Sequence, residues 1–261
     1  MDDKFNIISI EHLFRLIIND YNERKEIFGI PETLFFKPSF NDKFSIYRYG
    51  QKIETPFGVA AGPQTQLAQN IISAWLCGAR YIELKTIQTL DELNISKPCI
   101  DMQDEGYNCE WSQELKINES YQEYLKAWII IHLLKHMFRW NNDESNGTIF
   151  NMSVGYNHEG ILKDNVQWFL KKMNNCSEEL QNFTQALEPL YPDIKKINIP
   201  IQISNNVTLS TMHGCPPDEI EKIATYLIAE KKLHTTVKLN PTLLGAKELR
   251  TILNQNLKFK Y

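Results

Sequence analysis

The chain has 261 residues, 43% of them hydrophobic and 23% charged, with a formal net charge of −4. This is globular composition, enough for one large or two small domains, and its slight acidity gives no electrostatic ground for a nucleic-acid or anionic-membrane partner. The opening "MDDKFNIISI" lacks a basic n-region and apolar core, and "AWIIIHLL" is far too short for a membrane span, so the cytoplasm is the expected location.

In chain order, residues 9–25 set Ile10, Leu13, Leu16, Ile17 and Tyr21 at helical spacing until "FGIPE" ends them, and 1–54 is expected to form an N-terminal helical leader and cap. From Thr55 a rhythm begins. "TPFGVAAG" reads as a strand and "LAQNIISAWLCG" as a helix closed by Gly78. "RYIELKTIQ" is a strand, "YQEYLKAWIIIHLLKHMF" a helix and "TIFNMSVGYN" a strand followed by helical segments near 160–174 and 177–190. "NVTLSTM" and "TTVKLNP" are strands, each followed by a helix, "PPDEIEKIATYLIAEK" and "GAKELRTILNQN". Alternating strands and helices imply right-handed βαβ units and a parallel sheet. A (β/α)8 TIM barrel needs eight such units and about 250 residues. Here five units, a leader and an insertion use the length, so residues 55–261 read as an incomplete (β/α)8 barrel, with an open doubly wound sheet as the rival.

Period-two patterning favours the barrel. Phe150, Met152, Val154 and Tyr156 alternate with Asn151, Ser153, Gly155 and Asn157; Ile82 and Leu84 alternate with Glu83 and Lys85; Val237 and Leu239 alternate with Lys238 and Asn240. "VTLST" likewise sets Thr208 and Ser210 on its polar side. One face packs on helices and the other meets something polar, either a barrel interior or solvent on a half-exposed sheet. Lys85 and Lys238 fall near strand ends, where barrel sites are built. Each either pairs with a carboxylate such as Glu83 or stabilises negative charge on a ligand. Gly58, Ala60, Ala61 and Gly62 are small enough for a flat ligand to lie on their backbone, or serve only strand packing. Neither a G-x-G-x-x-G fingerprint nor a Walker loop is present.

The connection containing "DELNISKPCIDMQDEGYNCEW" is long for a compact domain and reads as a lid or interface loop. Its Cys99, Asp101, Asp104, Glu105 and Cys109 match no ligand spacing, the six histidines form no H-E-x-x-H motif, and no metal is assigned. The five cysteines, at 77, 99, 109, 176 and 215, form no CxxC pair and read as reduced thiols. In "TLSTMHGCPPDEIE", Pro216 and Pro217 suit a first helical turn with Asp218 and Glu219 complementing the dipole, and the helix start is expected to lower the pKa of Cys215.

The ordered motifs "TPFGVAAGPQTQLAQN", "RYIELKTIQTLDEL", "FNMSVGYNHEG", "VTLSTMHGCPPDEIE" and "TVKLNPTLLG" resemble those of dihydroorotate/dihydropyrimidine dehydrogenase-like FMN barrels. The similarity is greatest to the N-terminal part of the family provisionally named selenate reductase large subunit. The resemblance implies FMN at the barrel mouth, contacted by Lys85 and Lys238, with Ala60, Ala61 and Gly62 along the isoalloxazine and Asn157 over the ring. The related enzymes carry "N-x-S-C-P" on strand four. Here Thr208 and Thr211 stand at the substrate-binding and catalytic-base positions, so Thr211 and Cys215 are both candidates for proton exchange, and the pyrimidine substrate does not carry over. The family's longer members continue through strands six to eight into FAD, NAD(P) and iron–sulfur domains. This chain is therefore expected to bind FMN weakly or not at all without a C-terminal partner chain. Besides the flavin oxidoreductase, a Schiff-base lyase using Lys85 or Lys238 and a catalytically silent, truncated or split chain remain open.

Overall fold

The structure, a computed structural model, describes residues 6–39, 43–87, 89–91, 100–101, 107–108, 115–140, 147–210, 215–239 and 244–258. The leader begins with helix α1 (Ile10–Arg24), whose N-cap Ser9 hydroxyl accepts from the His12 amide at 3.2 Å and whose end is turned by Lys25 at φ 57°. Two antiparallel hairpins follow, β1 (Glu26–Ile27) with β2 (Ile30–Pro31) and β3 (Ile46–Arg48) with β4 (Gln51–Ile53). Their turns, Phe28–Gly29 and Tyr49–Gly50, have positive φ at both positions, as tight two-residue hairpins require. The leader is thus part helix and part hairpin.

Five strands form one parallel sheet. They are β5 (Gly58–Val59), β6 (Tyr81–Glu83), β9 (Ile149–Gly155), β10 (Asn206–Ser210) and β11 (His234–Lys238), while β7 (Ile100–Asp101) and β8 (Tyr107–Asn108) pair separately in the insertion. Helix α2 (Ala68–Leu76) links β5 to β6, and α3 (Ile117–Met137) leads into β9. Helices α4 (His158–Ile161), α5 (Asp164–Asn174) and α6 (Ser177–Leu187) lead to β10, α7 (Pro217–Thr225) to β11, and α8 (Gly245–Thr251) follows. The spatial order of the sheet is its chain order. A doubly wound sheet must reverse that order at a switch point, so this is the barrel arrangement. Among the described residues β5 and β11 are edges, and the barrel is not closed.

The pleat sorts the side chains as the alternation requires. Ile82, Leu84, Phe150, Met152, Val154, Val207 and Leu209 join the helices in the core. Asn151, Ser153, Asn206 and Thr208 share the other face and are nevertheless buried, which removes the half-exposed-sheet alternative for the central strands β9 and β10. Buried polar groups need partners. The Thr208 hydroxyl donates to Asn151 Oδ1 at 2.6 Å, Asn151 Nδ2 donates to Asn206 Oδ1 at 2.6 Å, and Asn206 Nδ2 donates to the Phe150 carbonyl at 3.3 Å. Asn151→Ala would break two of these links at once and is expected to cost about 2–3 kcal/mol of stability, read as a lower urea midpoint.

The β3–β4 hairpin floors this interior. Tyr49 stacks on His234 at 4.7 Å with its hydroxyl 2.9 Å from Thr236 Oγ1, and Gln51 Nε2 donates to Asn205 Oδ1 at 3.1 Å. The Arg48 guanidinium lies over the Tyr49 and Tyr81 rings at 4.5 and 5.0 Å. Tyr81 and His234 begin their strands, and Asn205 immediately precedes β10, so the hairpin closes the N-terminal end and leaves the C-terminal rim for a ligand.

Helix α3 buries a histidine. His132 Nδ1 donates to the Trp128 carbonyl at 2.7 Å, and burial, aided by repulsion from Lys135, pushes its pKa down to about 4. The unfolded chain takes up this proton near pH 6.5, so the stability from keeping His132 neutral is present above that pH and is lost as pH falls toward 4. The loss is expected to be about 3 kcal/mol, and His132→Gln should flatten the slope of unfolding free energy between pH 6.5 and 4.

Candidate functional site

The C-terminal rim is assembled from strands that are not neighbours. Glu83, the last residue of β6, projects on the same face as its register partner Asn151. Its Oε2 accepts the Ala61 amide at 3.0 Å, and its Oε1 lies 3.5 Å from Nζ of Lys238, the last residue of β11. One carboxylate on the second strand therefore joins the first strand to the fifth across the mouth. The sequence singled out Lys238 and Ala61 as ligand contacts and treated Glu83 only as an available counter-charge. Lys85 lies two residues beyond Glu83 and is buried. Its amide donates to the Thr65 carbonyl at 3.3 Å, and its carbonyl accepts from the Tyr124 hydroxyl at 3.1 Å.

The small residues of the first unit serve different ends. A Cβ on Gly58 would lie 2.3 Å from the Tyr81 carbonyl oxygen, so this glycine is required by the approach of β5 to β6. Ala60–Gly62 pass into a short turn in which Gln64 Nε2 donates to the Ala60 carbonyl at 3.0 Å and the Gly62 amide donates to Thr65 Oγ1 at 3.2 Å. A Cβ on Gly62 would meet only the Gln64 side-chain amide, which can move aside.

The other candidate residues sit on the loops after the third and fourth strands. Asn157 is the N-cap of α4, where its Oδ1 accepts from the Gly160 amide at 2.8 Å. Glu219 Oε1 in the first turn of α7 accepts the adjacent His158 amide at 2.5 Å, which ties the two loops together. Thr208 is buried below them with its hydroxyl committed to Asn151. Thr211 and His213 lie outside the described residues, as do Cys99, Asp104, Glu105, Cys109 and Asn240. Cys215 is half-buried, and its thiol pKa is raised rather than lowered as the sequence suggested. Burial and the carboxylates of Glu219 and Asp218 all disfavour a thiolate, and the start of a nine-residue helix does not offset them. Among the described residues no three His, Cys, Asp or Glu side chains are grouped to hold a metal.

A parallel sheet in chain order, floored at one end and with the Ala61 amide and Lys238 at the other, defines a TIM-barrel domain, an architecture whose sites are built at the C-terminal rim. Residues 28–261 match the family model described as oxidoreductase YgfK, N-terminal TIM-barrel domain, and the chain belongs to that family. It is 44% identical over 273 residues to the provisionally named oxidoreductase YgfK of Escherichia coli K12, an alignment covering 97% of this chain and 26% of that protein. The relative in Escherichia coli O157:H7 gives the same values. The chain thus spans about a quarter of the length of these relatives. Among solved structures, ligand-free DHODH from Eimeria tenella gives a TM-score of 0.43 at 16% identity, covering 92% of this chain and 70% of that one. DHODH of the same organism in complex with ferulenol gives 0.40 at 14%, covering 84% and 64%. No described helix is long and apolar enough to cross a membrane.

Proposed function

We propose that this chain supplies the first five βα units of an FMN-dependent oxidoreductase acting in the cytoplasm on a flat small molecule. The observation that carries this reading is the convergence of the Ala61 amide and Lys238 on one acceptor at the rim, close to Lys85 in sequence and fold. This donor set fits a planar ring with a carbonyl-bearing edge, and it coincides with the residues marked by the motif resemblance. When bound, FMN supplies two-electron exchange with the substrate. In this reading Lys85, Lys238 and the Ala60–Gly62 backbone would hold the cofactor, the two lysines offsetting negative charge on it. Of the two substrate-binding candidates, Asn157 would face the substrate from its loop, while Thr208, buried with its hydroxyl given to Asn151, would support the site from below. Thr211 and Cys215 are the candidates for proton exchange. Cys215, held in its thiol form, suits donation better than abstraction.

The finer selenate reductase-type reading adds electron delivery from reduced nicotinamide through FAD and iron–sulfur centres carried by further polypeptide. The open edges β5 and β11 and the exposed Ile228, Leu239, Leu244 and Leu257 support completion of the barrel by such polypeptide. The lyase alternative needs an amine free to attack a carbonyl, whereas the Lys238 amine is engaged by the Glu83 carboxylate at 3.5 Å.

The test is an FMN titration, followed by flavin fluorescence. It compares the chain alone with the chain joined to the segment that follows the aligned region of Escherichia coli YgfK. Saturable binding at least tenfold tighter in the joined protein is expected. Equal, negligible binding in both would refute the proposal, and borohydride trapping of a carbonyl compound on either lysine would replace it with the lyase.

A further inference from the structure

We infer that Glu83 is an exchangeable internal ligand of the mouth, holding the Ala61 amide and Lys238 until a planar acceptor takes them over. This rests on the flavin reading above. The Glu83 side chain is only 11% exposed, and a carboxylate in that setting needs donors. It finds two, one just after the first strand and one at the end of the fifth, which do not pair with each other. The amide bond at 3.0 Å is the firmer, whereas the Lys238 contact at 3.5 Å is long and its lysine is 50% exposed. Both donors belong to the set that an acceptor-edged ring would use. An amide has a single proton, so Ala61 cannot serve Glu83 and a ring carbonyl fully at once. Lys238, with three protons on a mobile stem, can turn from one to the other. Glu83 therefore keeps the donors aimed and satisfied in the empty mouth and competes with whatever enters. It is a positioning residue, and it selects ligands whose edge accepts more strongly than the half-exposed contact it must replace.

Two measurements on Glu83→Gln test this. In the chain without ligand, the Ala61 amide proton should move upfield by NMR as a charge-assisted hydrogen bond becomes a neutral one. In the joined protein, FMN should bind about three- to fivefold tighter, the range expected for losing competition from a partly exposed ion pair. That gain should shrink in a Lys238→Met background, where the ion-pair half of the competition is already gone and only the Ala61 amide is still contested. An unmoved Ala61 resonance overturns the bridge itself. A moved resonance with unchanged or weaker FMN binding overturns the exchange and leaves Glu83 as a structural strut. No FMN binding by wild type or variant, with the resonance moved, overturns the flavin reading and the exchange with it while the bridge stands.

Discussion

Glu54→Ala is expected to lower the unfolding free energy by about 3–5 kcal/mol, because it leaves a buried guanidinium without its carboxylate. Arg80, with a fully buried side chain, donates Nε to Glu54 Oε2, while Lys135 Nζ stands 3.1 Å from Glu54 Oε1 and is 6% exposed. The remaining Arg80 donors go to backbone carbonyls, Nη1 to Trp75 at 2.6 Å and to Ala79 at 3.1 Å, and Nη2 to Phe36 at 3.4 Å. Carbonyls satisfy geometry but not charge. Burial already lowers the Arg80 pKa, and Glu54 is the group that draws it back up. The network also fixes the entry to the first strand, since the Glu54 amide donates to the Gly147 carbonyl at 3.1 Å just ahead of β9. Urea unfolding followed by tryptophan fluorescence should show a lower midpoint with an unchanged slope, and Glu54→Gln should be milder than the alanine. A midpoint within experimental scatter of wild type would show that Arg80 finds a substitute partner.

Glu123→Ala is expected to cost about 3–4 kcal/mol by similar physics at the other end of α3. Glu123 Oε2 accepts the Ala68 amide at 2.7 Å, serving as the cap that Leu67 cannot provide for α2. Its other oxygen pairs with Lys126, whose Nζ also donates to the Ile8 carbonyl at 2.6 Å, and both side chains are almost fully buried. The substitution therefore strands an ammonium and frees a helix start that follows Ala60–Gly62 by a single turn. Hydrogen exchange should quicken at the first amides of α2 before the rest of the sheet responds. The double variant Glu123→Leu/Lys126→Met should recover most of the lost stability, because it removes both charges together. If the double variant is as unstable as the single one, the loss comes from packing and not from the stranded charge.

The barrel rhythm was legible because period-two strands and period-3.6 helices differ over lengths of five residues or more. Ile149–Gly155 and Ala68–Leu76 illustrate each. The hairpins at 26–31 and 46–53 were not, since two- and three-residue strands carry no period and their turns use Phe28 and Tyr49 at positive φ, where glycine or asparagine is the usual signal. Helix α3 concealed its chemistry differently. Glu123, Lys126, His132 and Lys135 look like a solvated face, yet all four are buried, and their partners Ala68, Ile8 and Glu54 lie too far away in sequence for any spacing rule to find. At the rim, Lys238 was legible as a charge at the end of an alternating strand. Glu83 as the bridge was not, because it depends on the first and fifth strands facing one another. The raised Cys215 pKa was not legible because Asp218 and Glu219 suit a helix dipole, while burial and the same two charges oppose a thiolate beside them.

A flavin site at the rim built by these five strands is open to direct measurement. Its most direct measurement is the FMN released by acid from the purified protein in which this chain is joined to the barrel segment of its longer relatives. One FMN per polypeptide is expected, falling to a small fraction when Lys85 and Lys238 are both replaced by methionine while the fold is retained. Protein that carries no flavin, or that keeps a full equivalent without both lysines, would contradict it.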